Sequence, residues 1–420
     1  MPKLVTALST AAVILALTLG IGCIKKSRQA ASLDSSDFPS IQAALDALPE
    51  SGGAVTVPAG IHKVQEPVRI RRSNVTLEGK GRGTVILNEN REGKPAIIAR
   101  SDRDPENNPL WGVTISNMCI TGDSAAVWEA GAWPEGEDTL CRGGDGILAD
   151  HCYDSLFEKL WLVRNGGNGL NLYYCYENPR VQSCNISYNR QAGIRMEGSH
   201  DIVVSANQLE ENYRQGILAI DGYNLIASGN DLDDHRGDGI VLDRMGGSTL
   251  SGNMVEESRG WGLVLRDSFG TAFSAGLIRH NFTGGVRLER SRYNTVSGCV
   301  FEGNDSLALY NDQESFQNNF TGNTVSQGAF KPGETVSRGF HLEGRENLVS
   351  ANLIAPGAGY GLILSGERQN VSENTIIASK GDSCMLIENL KSSLVKDNFL
   401  SGGSVSLRGL NPGNRVVDNR

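Results

Sequence analysis

From residue 146 onward the chain repeats one pattern: a glycine, an apolar residue, then alternation of polar and apolar side chains. Gly146-Ile147, Gly169-Leu170, Gly193-Ile194, Gly216-Ile217, Gly239-Ile240, Gly262-Leu263 and Gly285-Val286 recur every 23 or 24 residues. Ala308-Leu309 keeps the register, and after a longer coil come Gly339-Phe340, Gly361-Leu362, Cys384-Met385 and Ser404-Val405. Within Gly193-Ile194-Arg195-Met196-Glu197, Ile194 and Met196 fall on one side of an extended strand, Arg195 and Glu197 on the other. A second series runs in step: Ser205-Ala206-Asn207, Ser228-Gly229-Asn230, Ser251-Gly252-Asn253, Thr321-Gly322-Asn323, Ser350-Ala351-Asn352 and Ser372-Glu373-Asn374. The period is too short for the common helical repeats, and the alternation is that of strands. Each coil is therefore predicted to stack its aliphatic side chains inward on those of its neighbours. The recurring Asn is predicted to form a turn ladder, which makes strings such as Asn185-Ile186-Ser187 repeat grammar rather than glycan acceptors.

Upstream, Ile41, Ala44, Leu45 and Leu48 stand at helical spacing and Pro49 to Gly53 ends that segment. The spacing predicts a short amphipathic helix covering the N-terminal opening of the solenoid and its strand edges. Val55-Thr56-Val57, Val68-Arg69-Ile70, Val75-Thr76-Leu77, Val85-Ile86-Leu87 and Val113-Thr114-Ile115 read as the first strands. The fold expected for 38–420 is an all-β, right-handed parallel β-helix of roughly fourteen coils, about 23 residues each, interrupted by a long loop insertion at 121–144. Composition agrees: 51 glycines and only 6% aromatic residues suit many short strands joined by tight turns.

The first thirty residues are a targeting segment. Lys3 precedes an apolar run from Leu4 to Ile21, followed by Gly22-Cys23. Residues 1–23 resemble a bacterial lipoprotein signal in which Cys23 is lipidated, although Gly20 stands where that family prefers Leu. A plainly cleaved signal and an uncleaved anchor are the alternatives, and 24–37 reads as a tether. The protein is expected to be exported: anchored in the bacterial outer membrane, facing the periplasm, or secreted, with the lipid its only membrane attachment. A net charge of −9 argues against nucleic acid as a partner, and the chain is expected to be a monomer. Of eight cysteines, Cys152 and Cys175 each lie six residues past their glycines, as stacked neighbours. Their expected separation of about 4.8 Å fits a disulfide or two buried thiols, and Cys119 and Cys141 would close the base of the loop.

The string Ile41 to Leu48, with Gly52-Gly53-Ala54-Val55-Thr56-Val57-Pro58-Ala59-Gly60 and Val75-Thr76-Leu77-Glu78-Gly79, resembles the opening of pectate-lyase-like β-helix proteins. The later coils resemble the carbohydrate-binding and sugar-hydrolase repeat group. Asp145-Gly146-Ile147-Leu148-Ala149-Asp150 with Asp154-Ser155-Leu156-Phe157-Glu158 is similar to a stretch of mannuronan C5-epimerases. That resemblance places Asp150 on a family catalytic position. The Asp-Pro-His triplet of the epimerases does not occur; the nearest string is Asp104-Pro105-Glu106.

Residues at matching repeat positions form outward ladders at about 4.8 Å per rung. The richest block joins Asp150, His151, Asn171, Tyr173, Arg195 and Glu197 on three neighbouring coils. For lyase or epimerase chemistry, Arg195 and Asn171 would bind a uronate carboxylate while Tyr173 or His151 exchanges the adjacent proton. For hydrolysis, Asp150 and Glu197 would stand two coils apart, compatible at best with an inverting pair. The bland alternative is a face of paired charges, each worth little. Asp243, Arg266 and Arg287 would extend a substrate track, and Trp128 and Trp133 of the insertion would stack on sugar rings or pack on the solenoid flank. Asp231, Asp233, Asp234 and Asp238 would hold Ca2+ or form a solvated acidic turn; no other metal is expected. The function expected is binding and modification of a polysaccharide, with uronate lyase or epimerase chemistry ahead of hydrolysis. The rival is a non-catalytic binding or scaffold protein of the envelope. Beyond Gly361 the outward face is blander, with Ile363, Ser365, Leu386 and Ser406.

Overall fold

The computed structural model describes residues 31–123, 143–326, 338–378, 383–409, 411 and 413–420. Helix α1 (Ile41–Ala47) is capped by Ser40, whose Oγ accepts the Ala43 N–H at 3.1 Å. Its apolar side chains Ile41, Ala44 and Leu45, with Leu48 beyond it, are buried on the first coil, as their spacing predicted. Fourteen strands, from Val68–Ile70 to Val405–Arg408, form one parallel sheet with a single strand per coil. The other strands build the remaining faces in parallel ladders, such as Val203–Ser205 on Ile226–Ser228 and Gln208–Glu210 on Asp231–Asp233.

Ile147, Leu170, Ile194, Ile217, Ile240, Leu263, Val286 and Leu309 line up inside this sheet and are fully buried. Each contributes about 1.5–3 kcal/mol relative to exposure. The repeat glycine beside them is required by size, not by dihedral angle. A Cβ on Gly169 would stand 2.5 Å from Ile186 Cγ2 and 2.7 Å from the Gly193 carbonyl oxygen. The middle residue of each Ser-x-Asn element is the one that needs a left-handed backbone. Ala206, Gly229, Gly252, Gly322, Ala351 and Glu373 all have φ between 52° and 65°. The asparagine after it is buried and stacks: Asn207 Nδ2 donates to Asn230 Oδ1 at 3.0 Å, and Asn230 Nδ2 to Asn253 Oδ1 at 2.9 Å. Asn230 Nδ2 also reaches the Val204 carbonyl oxygen at 3.0 Å, so the ladder satisfies turn backbone that burial would otherwise strand.

The leader with Cys23 lies outside the described residues, and so do Trp128, Trp133 and Cys141 of the insertion. At the insertion's near end Asp123 is buried against Arg164, with 3.0 Å between Oδ2 and Nη1. Cys152 and Cys175 are stacked in successive coils and fully buried, and both are free thiols. Cys152 Sγ donates to the Ala99 carbonyl oxygen at 3.2 Å and Cys175 Sγ to that of Ala149 at 3.4 Å. Cys119 is also a buried free thiol, and burial pushes it up to about 12.

Candidate functional site

The fourteen-stranded sheet puts the singled-out residues in register. Asp150, Tyr173 and Glu197 are paired rung on rung, as are Leu148, Asn171 and Arg195. Asp150 ends its strand almost buried, with its side chain 9% exposed. Both carboxylate oxygens are engaged: Oδ2 lies 3.0 Å from Arg100 Nε and Oδ1 2.6 Å from His151 Nδ1. Such charge-assisted bonds fix both the acid and the ring it holds. His151 has a left-handed φ of 51°, which carries its ring around the corner of the coil. There the imidazole stacks on Tyr174 at 5.3 Å and meets the edge of Tyr173 at 6.4 Å. Its Nδ1 is taken by Asp150, which leaves Nε2 as the nitrogen available for proton exchange.

The neighbouring rungs are polar and matched. Asn171 Nδ2 donates to Asp145 Oδ2 at 2.9 Å, and Asn171 Oδ1 accepts from Arg195 Nη1 at 3.3 Å. Arg195 is ion-paired to Glu197 on its own strand. Three residues here were not singled out from sequence: Arg100, Tyr174 and Asp145. Arg100 is the informative one. Ala96-Ile97 is a rung whose glycine position carries Ala, and Arg100 stands four residues past it, directly before Asp150 in the ladder. Counting that rung before the insertion would have found it.

Asp243, Arg266 and Glu289 are also stacked in register, beyond Leu218 and Ile220. Arg266 Nε lies 2.8 Å from Glu289 Oε2, and its Nη1 lies 3.4 Å from Asp243 Oδ2. Hydrogen bonding to Glu289 raises the Arg266 guanidinium further above its ordinary value. Arg287 pairs with Glu289 at 2.6 Å. The structure therefore does not join Asp243, Arg266 and Arg287 to the Asp150 block, and their charges are answered within the protein. The four aspartates considered for Ca2+ do not converge either. Asp238 Oδ1 accepts the Trp261 N–H at 2.7 Å, whereas Asp231 and Asp233 lie on another face. There Glu210, Asp233 and Glu256 are stacked, and burial together with Glu256 and Glu257 pushes Asp233 up to about 7.

With the geometry in place, the profile of the family described as periplasmic copper-binding protein (NosD) matches residues 112–331, more than half of the 420 residues. The chain belongs to the NosD family. A profile of the right-handed β-helix region matches residues 262–420, so this NosD-family chain has the handedness expected of its repeats. No curated protein sequence matches it. Among solved structures it is similar to the A-module of mannuronan C-5 epimerase AlgE4 from Azotobacter vinelandii (TM-score 0.59, 16% identity, covering 92% of this chain and 100% of that one). It is similar also to DFA-IIIase from Arthrobacter chlorophenolicus A6 in complex with GF2 (TM-score 0.53, 13% identity, covering 93% and 99%). Geobacillus virus E2 ORF18 matches with TM-score 0.53 and 15% identity over 77% of this chain, which spans 61% of that protein. At such identities the likeness is one of fold.

The described residues of this NosD-family chain do not fit a copper centre. Among them no three His, Cys, Asp or Glu side chains gather where they could hold one metal ion. The nearest soft pair, Cys152 and Cys175, is fully buried, and the neighbouring Cys175 thiol together with burial holds the Cys152 thiol well above its ordinary range, against the thiolate a metal needs.

Proposed function

We propose that this protein is exported to the cell envelope, binds a polysaccharide along the outward face of the fourteen-stranded sheet, and exchanges a proton on it at the Asp150–Glu197 block. The observation that carries this reading is the clamped pair: Asp150 held between Arg100 and His151, with the His151 ring set against Tyr173 and Tyr174. In this reading Asp150 orients the imidazole and stabilises its protonated form, His151 Nε2 takes the proton, and Tyr173 returns one. A uronate carboxylate would take Arg195 in exchange for Glu197, with Asn171 beside it. Lyase or epimerase chemistry fits better than hydrolysis, because both oxygens of Asp150 and the carboxylate of Glu197 are already engaged. Export is supported by the leader and by the periplasmic description of the family; anchoring through Cys23 belongs to the same proposal. The named epimerase among the structural neighbours makes a polysaccharide partner reasonable.

A second reading, a non-catalytic binding or scaffold protein, is favoured by the Asp243–Arg266–Glu289 ladder, where charges are matched and no group is left for chemistry. The two separate in a screen of the purified protein on alginate, pectate, glycosaminoglycans and neutral glycans. Unsaturated ends, reducing ends and C5 configuration would be followed by NMR, with His151→Asn and Tyr173→Phe beside the wild type. Turnover lost in both variants is the expected result. Binding without turnover would move the protein to the scaffold reading, and turnover untouched by either change would remove the site.

A further inference from the structure

The outward face carries a second polar constellation, well separated from the first. Arg287, Tyr310 and His341 are paired rung on rung. Between the two groups, Leu218, Val241 and Val264 occupy the same ladder, the last two buried with Trp261. Glu343 organises the second group: its Oε2 accepts from the Tyr310 hydroxyl at 3.3 Å and its Oε1 lies 3.5 Å from His341 Nε2. The Tyr310 and His341 rings meet edge to face at 5.4 Å, and the Arg287 guanidinium stands 5.9 Å from the Tyr310 ring centre. Burial and Glu343 push the Tyr310 phenol up to about 12, and burial lowers His341, so at neutral pH the two rings are uncharged donors and acceptors.

Glu343 also borders an open groove of about 450 Å3 at the adjacent corner, which Gln313, Ser365, Glu367 and Asn389 share. Carboxylates, amides and a hydroxyl meet there, and its guanidinium neighbour Arg345 is stacked over Phe316 at 4.3 Å. Carboxylate oxygens and amides accept from and donate to sugar hydroxyls, and the Glu343 carboxylate disfavours an anionic ligand, whereas Glu367 is already ion-paired to Arg368 at 2.9 Å. The glycines that shape it admit no side chain: a Cβ on Gly366 would stand 1.9 Å from the Gly344 carbonyl oxygen.

We infer that the Glu343 groove is a carbohydrate subsite for a neutral, hydroxyl-rich sugar unit, bounded by Glu343, Gln313, Glu367 and Asn389. It shares with the proposed function the premise of a glycan ligand, but not the proton exchange at His151. The chain of sugars would then be gripped at two places on one face, with the apolar rungs under Trp261 between them.

Calorimetric titration of the full protein with neutral oligosaccharides (gluco-, manno- and galacto-configured) and with oligouronates tests this. Glu343→Gln and the exposed Gln313→Ala would be compared with Asp233→Asn on another face of the solenoid, each checked for native circular dichroism. The expected result is neutral-sugar binding weakened about tenfold or more by Glu343→Gln, several-fold by Gln313→Ala, and unchanged by Asp233→Asn. Gln313→Ala perturbs only the rim, so it decides the matter if Glu343→Gln fails to fold. Neutral-sugar binding untouched by both groove variants, or absent in the wild type, would overturn the subsite. Oligouronate binding weakened by the groove variants would overturn the ligand class. Turnover on a uronate screen reports on His151 separately, so the two proposals fail independently.

Discussion

Two charged ladders occupy the same register positions of one sheet and are built to opposite ends. In Asp243–Arg266–Glu289 the signs alternate and every charge finds its partner along the stack. In Arg100–Asp150–Tyr173–Glu197 the acid is sealed between a guanidinium and an imidazole, and the next rung is a tyrosine 36% exposed. The first arrangement uses up its polar groups; the second leaves an exposed phenol beside an oriented imidazole that is itself only 12% exposed. Solenoid geometry supplies the ladder in both cases, and what differs is whether the side chains close on each other or on something that arrives from solvent.

The sharpest way to break this comparison is by activity. His151→Asn removes the exchanging nitrogen, and a lost general base costs roughly 100-fold or more in turnover. Arg266→Gln, at the matching position of the closed ladder, is expected to change turnover less than twofold. Measured on the substrate that the polysaccharide screen identifies, a comparable loss in both variants would show that the whole face acts as one binding surface and that the Asp150 block has no chemistry of its own.

Stability gives the second contrast. Arg100→Met leaves the nearly buried Asp150 with one partner fewer; because the Arg100 guanidinium is itself 52% exposed, the loss is about 1 kcal/mol, near the low end for a stranded acceptor. Arg266→Gln breaks pairs whose guanidinium is 38% exposed, worth about 0–1 kcal/mol after solvent screening. Urea unfolding of both variants measures the difference; equal losses would mean that Asp150 is no more dependent on its partner than a surface acid.

Most of the fold was legible because the repeat is a one-dimensional constraint: Gly193-Ile194-Arg195-Met196-Glu197 states both the inward stack and the outward ladder. The rungs at Asp150, Tyr173 and Glu197 followed from counting alone. Arg100 did not, because the 121–144 insertion hides the preceding rung and Ala96 stands in the glycine position. The matching of Arg195 by Glu197 and of Arg266 by Glu289 was also invisible, since rung counting gives columns but not which way long side chains turn. The groove at Glu343 was missed for a related reason: Ile363 and Leu386 make the strands there look bland, whereas the groove is formed at the corner by Gln313, Glu367 and Asn389.

The smallest effect concerns a third ladder, Glu210–Asp233–Glu256, in which like charges are stacked and only Glu256 has its arginine, Arg279. Burial comes first, then Glu256, Glu257, Asp234 and Glu210, in pushing Asp233 from an ordinary 3.8 up to about 7. Asp231, Asp234 and Glu210 are raised in the same direction, burial leading in each. An acid raised on folding binds its proton more tightly in the folded state, so folding is favoured while that proton stays on. Below about pH 4 both states are protonated. Between pH 4 and 7 the unfolded chain loses the proton first, and stability falls as pH rises until the folded group also ionises. Asp233→Asn removes that slope. Its melting temperature should fall less than that of the wild type between pH 5 and 8, and it should be the more stable of the two at pH 8. Screening at this partly exposed site keeps the difference below about 1 kcal/mol. Thermal melts across that range decide it: parallel curves would mean that the stacked acids lie far enough into solvent to ignore one another. The alternating ladder at Arg266 and the acidic one at Asp233 would then differ in appearance alone, and the clamped Asp150 would stand apart from both.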